Sequence, residues 1–273
     1  MKKIELPKRV EDSNKATCGR VSVFGGSMGM AGSVCLASTA ALRIGAGIAY
    51  AVVPDDILVI CQIKLTEVMV KSEDEYKVMF DLSDSLVIGP GYLSKNGISH
   101  IMKIAQRSSK PMVVDAEGLK YIKNKKIKNP NCVITPHSGE FANLLSVTCE
   151  YVNENREYLA KKYAEEHGCV VVLKGKNTVA ASPEGEIYIN KTGGSGLSTA
   201  GSGDVLSGMI GGLMAQGLTP FSAACTGVYI HGMAGDLAER DMSPYSLMSN
   251  DILNYIGKAI VYLGDSTNGK KQL

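Results

Sequence analysis

Short runs of Val and Ile alternate with longer segments of helical periodicity along the whole chain, and this alternation limits the fold more than any other feature. Six runs are predicted as buried strands, at residues 21–24, 48–53, 86–88, 112–115, 132–135 and 170–174. Seven segments with small or apolar residues at helical spacing are predicted as helices, at residues 33–44, 96–106, 138–145, 154–166, 204–216, 220–239 and 250–262. Strands that alternate with helices form a largely parallel sheet covered on both faces. The sequence therefore predicts an α/β fold.

One pair of strands departs from this alternation. Residues 178–181 and 186–190, joined by a turn at 183–185, are predicted to form a β-hairpin. No linker, repeat or low-complexity tract divides the chain, so residues 1–273 are predicted to form a single domain, with a frayed tail at 264–273.

Composition and charge restrict the partner. The 29 Lys and Arg residues nearly balance the 27 Asp and Glu residues, giving a formal net charge of +2. This balance argues against a protein that binds nucleic acid or a membrane through a basic face. The 30 glycines indicate tight turns and close backbone approaches, as in proteins that hold phosphates with main-chain N–H groups. We therefore expect a small-molecule partner.

Cysteine usage and the N-terminus point to a location. The seven cysteines are scattered and form no CxxC pair, so neither a disulfide framework nor a zinc site is favoured, and no residue is predicted to ligate a metal. Residues 1–14 contain no apolar signal region, and no apolar run approaches the ~20 residues of a membrane span. The expected location is the cytoplasm.

A glycine-rich turn directly before a predicted helix is the strongest candidate for chemistry. Residues 193–204 read GGSGLSTAGSGD. Such a turn exposes unpaired N–H groups beside the positive end of the helix dipole, which is suited to holding phosphate. Asp204, predicted as the N-cap or first residue of the helix, is either a cap or a catalytic carboxylate. The glycine density favours the catalytic interpretation, because a cap needs no such loop.

The ordered motifs make the chain similar to a known family. GSGD at 201–204, before a helix of small residues, resembles the phosphoryl-transfer signature of the ribokinase-like superfamily. Further motifs are VFGGS at 23–27, AGS at 31–33, AALRIGAG at 40–47, IGPG at 88–91, VDA at 114–116, TPHSGEF at 135–141, VLKG at 172–175 with Thr178, YIHG at 229–232 and AGD at 234–236. Together they resemble the ADP- or ATP-dependent NAD(P)H-hydrate dehydratases, which implies a ribokinase-like fold.

The resemblance implies the removal of water from the S-epimer of hydrated NADH or NADPH. A nucleotide phosphorylates the added C6 hydroxyl, and phosphate then leaves. Asp204 would be the general base, and the N–H groups of Gly201, Ser202 and Gly203 would form the anion hole. The resemblance also implies Mg²⁺, ADP or ATP as co-substrate, and a homo-oligomer, with a tetramer favoured.

The resemblance divides the remaining site residues between two ligands. Ser33, Gly91, His137 and Asp204 would contact the hydrated nicotinamide. The adenine nucleotide would lie along Lys174, Gly175, Lys176, Asn177, Thr178 and Gly203. Without the family, a structural role for His137 is about as frequent as a functional one.

Two further polar residues are left outside the catalytic set. Asp115 ends a buried strand with no cationic neighbour in sequence, and the resemblance implies a structural or supporting role. His231 lies in the middle of a predicted helix among Ala and Gly, so we expect a packed core histidine.

The chain departs from the family pattern at three places. Met30 or its neighbours stand where the family has a Tyr, Ser138 replaces a Pro, and Gly194 and Ser195 replace an Asn-Pro pair. These departures concern the detailed substrate contacts rather than the overall chemistry.

Other functions are weighed against this one. The nearest is a ribokinase-like kinase of a vitamin-precursor alcohol, such as a hydroxyethylthiazole or hydroxymethylpyrimidine, which stops at the phosphorylated product. A non-catalytic nucleotide sensor would be expected to lose the carboxylate of Asp204. The chain contains no GxxxxGK[S/T] loop, which excludes a Walker-type NTPase. It also lacks GxGxxG after the first strand, which disfavours an NAD-dependent oxidoreductase.

Overall fold

The computed structural model describes residues 4–267, and these form one nine-stranded sheet. The strands are β1 (Arg20–Phe24), β2 (Ile48–Val53), β3 (Met69–Ser72), β4 (Ser85–Ile88), β5 (Met112–Val114), β6 (Cys132–Ile134), β7 (Val170–Leu173), β8 (Val179–Ala181) and β9 (Ile187–Ile189). Their spatial order is β3-β2-β1-β4-β5-β6-β7-β8-β9. Strands β1 to β7 pair in parallel, whereas β8 is antiparallel to both β7 and β9. The predicted parallel sheet and hairpin are confirmed.

Eleven helices of the described chain cover the sheet. They are α1 (Ala31–Arg43), α2 (Asp55–Lys64), α3 (Tyr76–Leu82), α4 (Lys95–Ala105), α5 (Glu117–Ile122), α6 (Ser138–Leu145), α7 (Cys149–Glu154), α8 (Arg156–His167), α9 (Ser202–Ala215), α10 (Pro220–Asp241) and α11 (Ser249–Thr267). Helices α1, α2, α9, α10 and α11 share one hydrophobic core, and α3 to α8 share the other. Within residues 4–267, no helix has the length and apolar character needed to cross a membrane.

Alternate side chains of the central strands supply the two cores. Val21 and Val23 of β1 pack with α1 and α9, whereas Phe24 of the same strand packs in the core formed with α3 to α8. In β4, Val87 faces the first core and Ile88 the second. A parallel strand buried on both faces is apolar at successive positions, which is why these strands are recognisable in the sequence.

Several elements differ from the sequence prediction. The helix predicted at 154–166 is α8, which begins two residues later than predicted, at Arg156. Asn155 separates α8 from the preceding helix α7, and its side chain donates to the carbonyl of Tyr151 at 3.0 Å. Helix α11 continues to Thr267, so the prediction of a frayed tail is wrong for residues 264–267. The rest of the predicted tail, residues 268–273, lies outside the described chain.

Five elements were not predicted at all: α2, β3, α3, α5 and α7. Helix α3 has seven residues and helices α5 and α7 have six, too few for helical periodicity to be evident. Strand β3, with the sequence MVKS, is a partly exposed edge strand without an apolar run. Helix α2 carries apolar residues on both its buried and its exposed sides, so its pattern does not resemble an amphipathic helix.

The sheet changes its winding direction between β1 and β4, and the loops after these strands meet there. From β1 the chain builds β2 and β3 on one side, and it then returns to place β4 on the other. The Gly26 N–H donates to the Pro90 carbonyl at 2.8 Å, and the Ser27 hydroxyl donates to the Gly91 carbonyl at 2.8 Å. Open parallel sheets bind ligands at such a switch point.

Gly89 is required where β4 ends. Its φ is +123°, and a Cβ atom there would lie 1.9 Å from the Asp115 carbonyl oxygen. We expect Gly89→Ala to destabilise the fold by about 3 kcal/mol or more, because strain and a backbone clash combine. Gly29 also has positive φ (+83°) but has open space around its Cα, so Gly29→Ala should cost about 1–2 kcal/mol. Urea unfolding of both variants measures this difference, and equal losses would contradict the assigned contact.

Candidate active site

The N-terminus of α9 lies at the carboxyl edge of the sheet, where several predicted site residues come together. A Cβ atom on Gly91 would lie 2.9 Å from the Cβ of Ser33, so these two residues are in contact. The Ser33 side chain is hydrogen-bonded to the carboxylate of Asp204. At the neighbouring Gly203, a Cβ atom would lie 3.1 Å from the Lys174 Nζ. The loops after β1, β4 and β7 therefore meet around the first turn of α9.

The sequence predicts Asp204 as the N-cap or the first residue of its helix, and this prediction is wrong. Helix α9 begins at Ser202, and its N-cap is Gly201 with φ +89°. Because Gly201 takes a left-handed conformation, the turn needs no side-chain cap, and the helix starts two residues earlier than predicted. Asp204 is the third helical residue, so its carboxylate is available for a role other than capping.

The surroundings of Asp204 raise the pKa of its carboxyl group toward neutral pH. Burial raises the pKa of Asp204, and the negative charge of Asp115 raises it further. The hydrogen bond from Ser33 and the charge of Lys174 act in the opposite direction. The resulting pKa is about 6, against an ordinary value of 3.8. A carboxylate with this pKa accepts a proton more readily than an exposed Asp.

Lys174 forms a buried ion pair that the sequence did not reveal. Its Nζ donates to the Asp115 Oδ1 at 2.9 Å and lies 3.8 Å from the Glu140 Oε2. The side chain of Asp115 is 1% exposed and that of Lys174 is 18% exposed. Burial opposes the charged form of Lys174, but the carboxylates of Asp115, Glu140 and Asp204 together raise its pKa. The lysine is therefore a permanent cation beside the start of α9.

A cavity of about 690 Å³ opens beside this cluster. The cavity is lined by residues 174–178 and Gly203, which are all the residues predicted to contact the nucleotide. Its other walls include His137, His231 and part of the glycine turn at 193–199. The volume is within the range of small-molecule sites.

A sequence profile of NAD(P)H-hydrate dehydratase matches residues 21–258. The chain belongs to the NAD(P)H-hydrate dehydratase family. It is similar to the ADP-dependent (S)-NAD(P)H-hydrate dehydratase of Neisseria meningitidis, with 38% identity over 227 residues, 80% of this chain and 76% of that protein. It is 40% identical over 271 residues to the bifunctional NAD(P)H-hydrate repair enzyme Nnr of Moorella thermoacetica, covering 92% of this chain and 51% of that protein. The chain thus spans about half the length of its bifunctional relatives.

Solved structures confirm the ribokinase-like fold. The ADP/ATP-dependent NAD(P)H-hydrate dehydratase of Bacillus subtilis, co-crystallised with ATP and Mg²⁺, superposes with a TM-score of 0.86 at 28% identity, covering 94% of each chain. A hydroxyethylthiazole kinase of Pyrococcus horikoshii superposes with a TM-score of 0.66 at 18% identity, covering 89% of each chain. At that identity, the kinase shares the fold alone.

In this family member, His137 has a structural role besides lining the cavity. It is the N-cap of α6: its Nδ1 accepts from the N–H groups of Gly139 and Glu140 at 3.0 and 3.2 Å. The Glu140 carboxylate accepts in turn from the His137 N–H at 2.8 Å, which completes a capping box. The His137 side chain is 60% exposed. The assignment of His137 to the nicotinamide stays a prediction. In the structure, His137 lines the same cavity as residues 174–178, which are predicted to contact the nucleotide.

His231 is a buried histidine, as expected from the sequence. Its Nε2 lies 3.0 Å from the Ser202 carbonyl oxygen and 3.2 Å from the Ser202 hydroxyl. Burial lowers its pKa to about 4, so the ring is neutral at physiological pH. The neutral ring fixes the first residue of α9.

Two carboxylates of α10 hold the glycine turn, and the sequence analysis missed their role. The Gly193 N–H donates to the Asp236 carboxylate at 3.0 Å, and the Gly196 N–H donates to the Glu239 carboxylate at 2.5 Å. Asp236 and Glu239 are three residues apart, which places both on one face of the predicted helix. This spacing could have indicated a shared role. Gly194, at a departure from the family pattern, packs on Glu239: a Cβ there would lie 2.4 Å from Oε2.

The other two departures also have defined positions. Met30 precedes α1 and is 36% exposed, and its carbonyl lies against Gly91. Ser138 is the first residue of α6, and its hydroxyl accepts from the Arg156 guanidinium at 3.2 Å. Arg156 also donates to the Leu173 carbonyl at 2.8 Å. This arginine, unnoticed in the sequence, therefore supports the loop that follows β7.

Proposed function

We propose that the protein restores NADH and NADPH from the S-epimers of their hydrates, using ADP or ATP as the phosphoryl donor. Membership of the dehydratase family supports this activity. The observation that carries it is the position of Asp204, which is hydrogen-bonded to Ser33 and lies near the charge of Lys174. Lys174 and Gly203, the residue before Asp204, both line the nucleotide cavity. A hydroxyl bound near Ser33 would thus lie close to a base and to the phosphoryl donor.

The residues would act in sequence on the added hydroxyl. Asp204 accepts the proton from the C6 hydroxyl while the hydroxyl oxygen attacks the terminal phosphorus of the nucleotide. Lys174 and the N–H groups at the start of α9 stabilise the charge on the transferred phosphoryl group. The Ser202 N–H already donates a long bond to Thr199, at 3.3 Å, so Gly201 and Gly203 supply the less engaged donors of the proposed anion hole.

Elimination completes the reaction. The ring-nitrogen lone pair expels phosphate from C6, and loss of a proton from C5 restores the C5–C6 double bond. Phosphate leaves far more readily than hydroxide, which is why phosphorylation precedes the departure of oxygen. The products are NADH or NADPH, inorganic phosphate, the shortened nucleotide and a proton.

The donor set fits a magnesium ion that arrives with the nucleotide. Within residues 4–267, no group of three His, Cys, Asp or Glu side chains forms a ready-made metal cage. Mg²⁺ commonly binds through one or two carboxylates plus substrate phosphates and water. Glu140, whose carboxylate lies 3.8 Å from the Lys174 Nζ, would supply such a carboxylate. When bound, the ion would neutralise charge on the nucleotide phosphates.

The test is incubation of the protein with hydrated NADH and ADP or ATP while reduced-nicotinamide absorbance is followed. We expect absorbance to recover with stoichiometric consumption of nucleotide and release of phosphate. Phosphorylation of a thiazole or pyrimidine alcohol, without recovery from the hydrate, would assign the protein to the kinase alternative. Comparing ADP with ATP, and NADH hydrate with NADPH hydrate, identifies the preferred pair.

The reaction should depend on pH through Asp204. Because its pKa is about 6, the base is mostly ionised at pH 7 and becomes protonated below pH 6. We expect kcat/KM to fall on the acid side with a midpoint near 6. In Asp115→Asn the negative charge that raises this pKa is lost, so the midpoint should move to lower pH. An acid limb unchanged in that variant would contradict the assignment of Asp204 as the base.

We further propose that residues 1–273 form one domain, that the protein acts in the cytoplasm, and that it is a homo-oligomer whose ligands are small molecules. The single sheet and the scattered cysteines support the first two proposals. The family resemblance supports the homo-oligomer, with a tetramer favoured. Sedimentation velocity of the full chain tests the assembly.

A further inference from the structure

Helix α2 presents an apolar stripe to solvent. Val59, Ile60 and Ile63 are 63%, 49% and 80% exposed. Together with Asp56 they recur at spacings of three, four and seven residues, so all four lie on one side of the helix. Ile57 and Cys61, on the opposite side, are fully buried. The α2 stripe is therefore defined by Asp56, Val59, Ile60 and Ile63.

The stripe lies at one end of the sheet. Helix α2 packs against β3, the edge strand, which has β2 as its one neighbour in the described sheet. Three large apolar side chains on one short helix form a patch on the order of a few hundred Å², the size that commonly marks an interaction surface. Isolated exposed apolar residues are ordinary, whereas a contiguous stripe is a candidate contact surface.

Charges at the two ends of α2 indicate what the partner is. Asp55 and Asp56 stand in the first turn, and Lys64 is the last helical residue. When two copies of α2 pack antiparallel about a two-fold axis, the acidic start of each helix faces the basic end of the other. The helix dipoles then also oppose each other favourably. The acidic residues argue against an anionic membrane surface as the partner.

We propose that the α2 stripe is a two-fold contact between copies of this chain. Val59, Ile60 and Ile63 form the apolar centre of the contact, and Asp56 pairs with Lys64 of the second copy. This goes beyond the proposed homo-oligomer by naming its surface, and it is independent of the proposed activity because assembly is measured without turnover.

Two matched valines provide the first test. Val59 on α2 and Val261 on α11 are both 63% exposed. Sedimentation velocity over about a hundredfold range of concentration should show that Val59→Asp shifts the full chain to a lower oligomer, raising the dissociation constant by ~10-fold or more, because the contact centre would bury an unpaired charge. Val261→Asp should leave assembly unchanged. Circular dichroism confirms that both variants are folded.

A charge exchange provides the second test and does not depend on the folding of Val59→Asp. Asp56→Lys places like charges against each other and should weaken assembly. The double variant Asp56→Lys/Lys64→Asp restores opposite charges and should recover it. A monomeric parent chain would overturn both the surface and the proposed homo-oligomer. An oligomeric parent with equal effects of the two Val variants, or with no recovery in the double variant, would overturn the surface alone.

Discussion

Replacing Asp204 with Asn is expected to lower kcat by ~10²–10⁴, because a positioned general base contributes about that factor. Nucleotide affinity should stay close to that of the parent, since Asn occupies the same volume and Lys174 keeps its place beside Gly203. Single-turnover recovery of NADH absorbance from the hydrate measures the chemical step. Isothermal titration with ADP or ATP measures binding separately.

The stability of this variant provides a control. A raised pKa means that ionised Asp204 is less stable in the fold than in the unfolded chain, so its unfavourable effect is present at neutral pH and disappears below pH 4. Asp204→Asn should therefore unfold at the same temperature as the parent or a higher one at pH 7. Asp241, an Asp paired with Lys258 at the surface, is the matched control, and Asp241→Asn should retain turnover. An Asp204→Asn variant with parental turnover would mean that another group is the base.

Replacing Lys174 with Met is expected to remove both stability and turnover. The substitution leaves Asp115, which is 1% exposed, without its cation, and breaking a buried ion pair from one side costs about 3–5 kcal/mol. Glu140 and Asp204 then also repel Asp115 without compensation. Thermal unfolding measures the first effect, and the hydrate assay of the folded protein at low temperature measures the second.

A double variant separates the two roles of Lys174. Asp115→Asn/Lys174→Met has no buried unpaired charge at this pair, so we expect it to recover most of the stability while turnover stays low. Lys162, paired with Glu166 at the surface at 3.9 Å, is the matched control, and Lys162→Met should cost less than about 1 kcal/mol. Restored turnover in the double variant would show that Lys174 serves the fold and not the reaction.

Much of the architecture was predictable because its signals are local. The buried strands are continuous apolar runs, and the hairpin is marked by its Ser-Pro-Glu-Gly turn. Helix α7 was not predictable, because its six residues are too few for helical periodicity to be evident. The edge strand β3 was missed for a related reason: partial exposure removes the apolar run that marks a strand.

The sequence by itself determined the parallel sheet, the glycine turn before α9, and the ordered motifs that place the chain in its family. Only the tertiary structure decided which charges meet. Asp115 and Lys174 stand 59 positions apart, and no local pattern joins them. They pair because the ends of parallel strands β5 and β7 reach the same edge of the sheet. Burial at that edge, together with the charge of Asp115, raises the pKa of Asp204 to about 6, which supports its proposed role as the base.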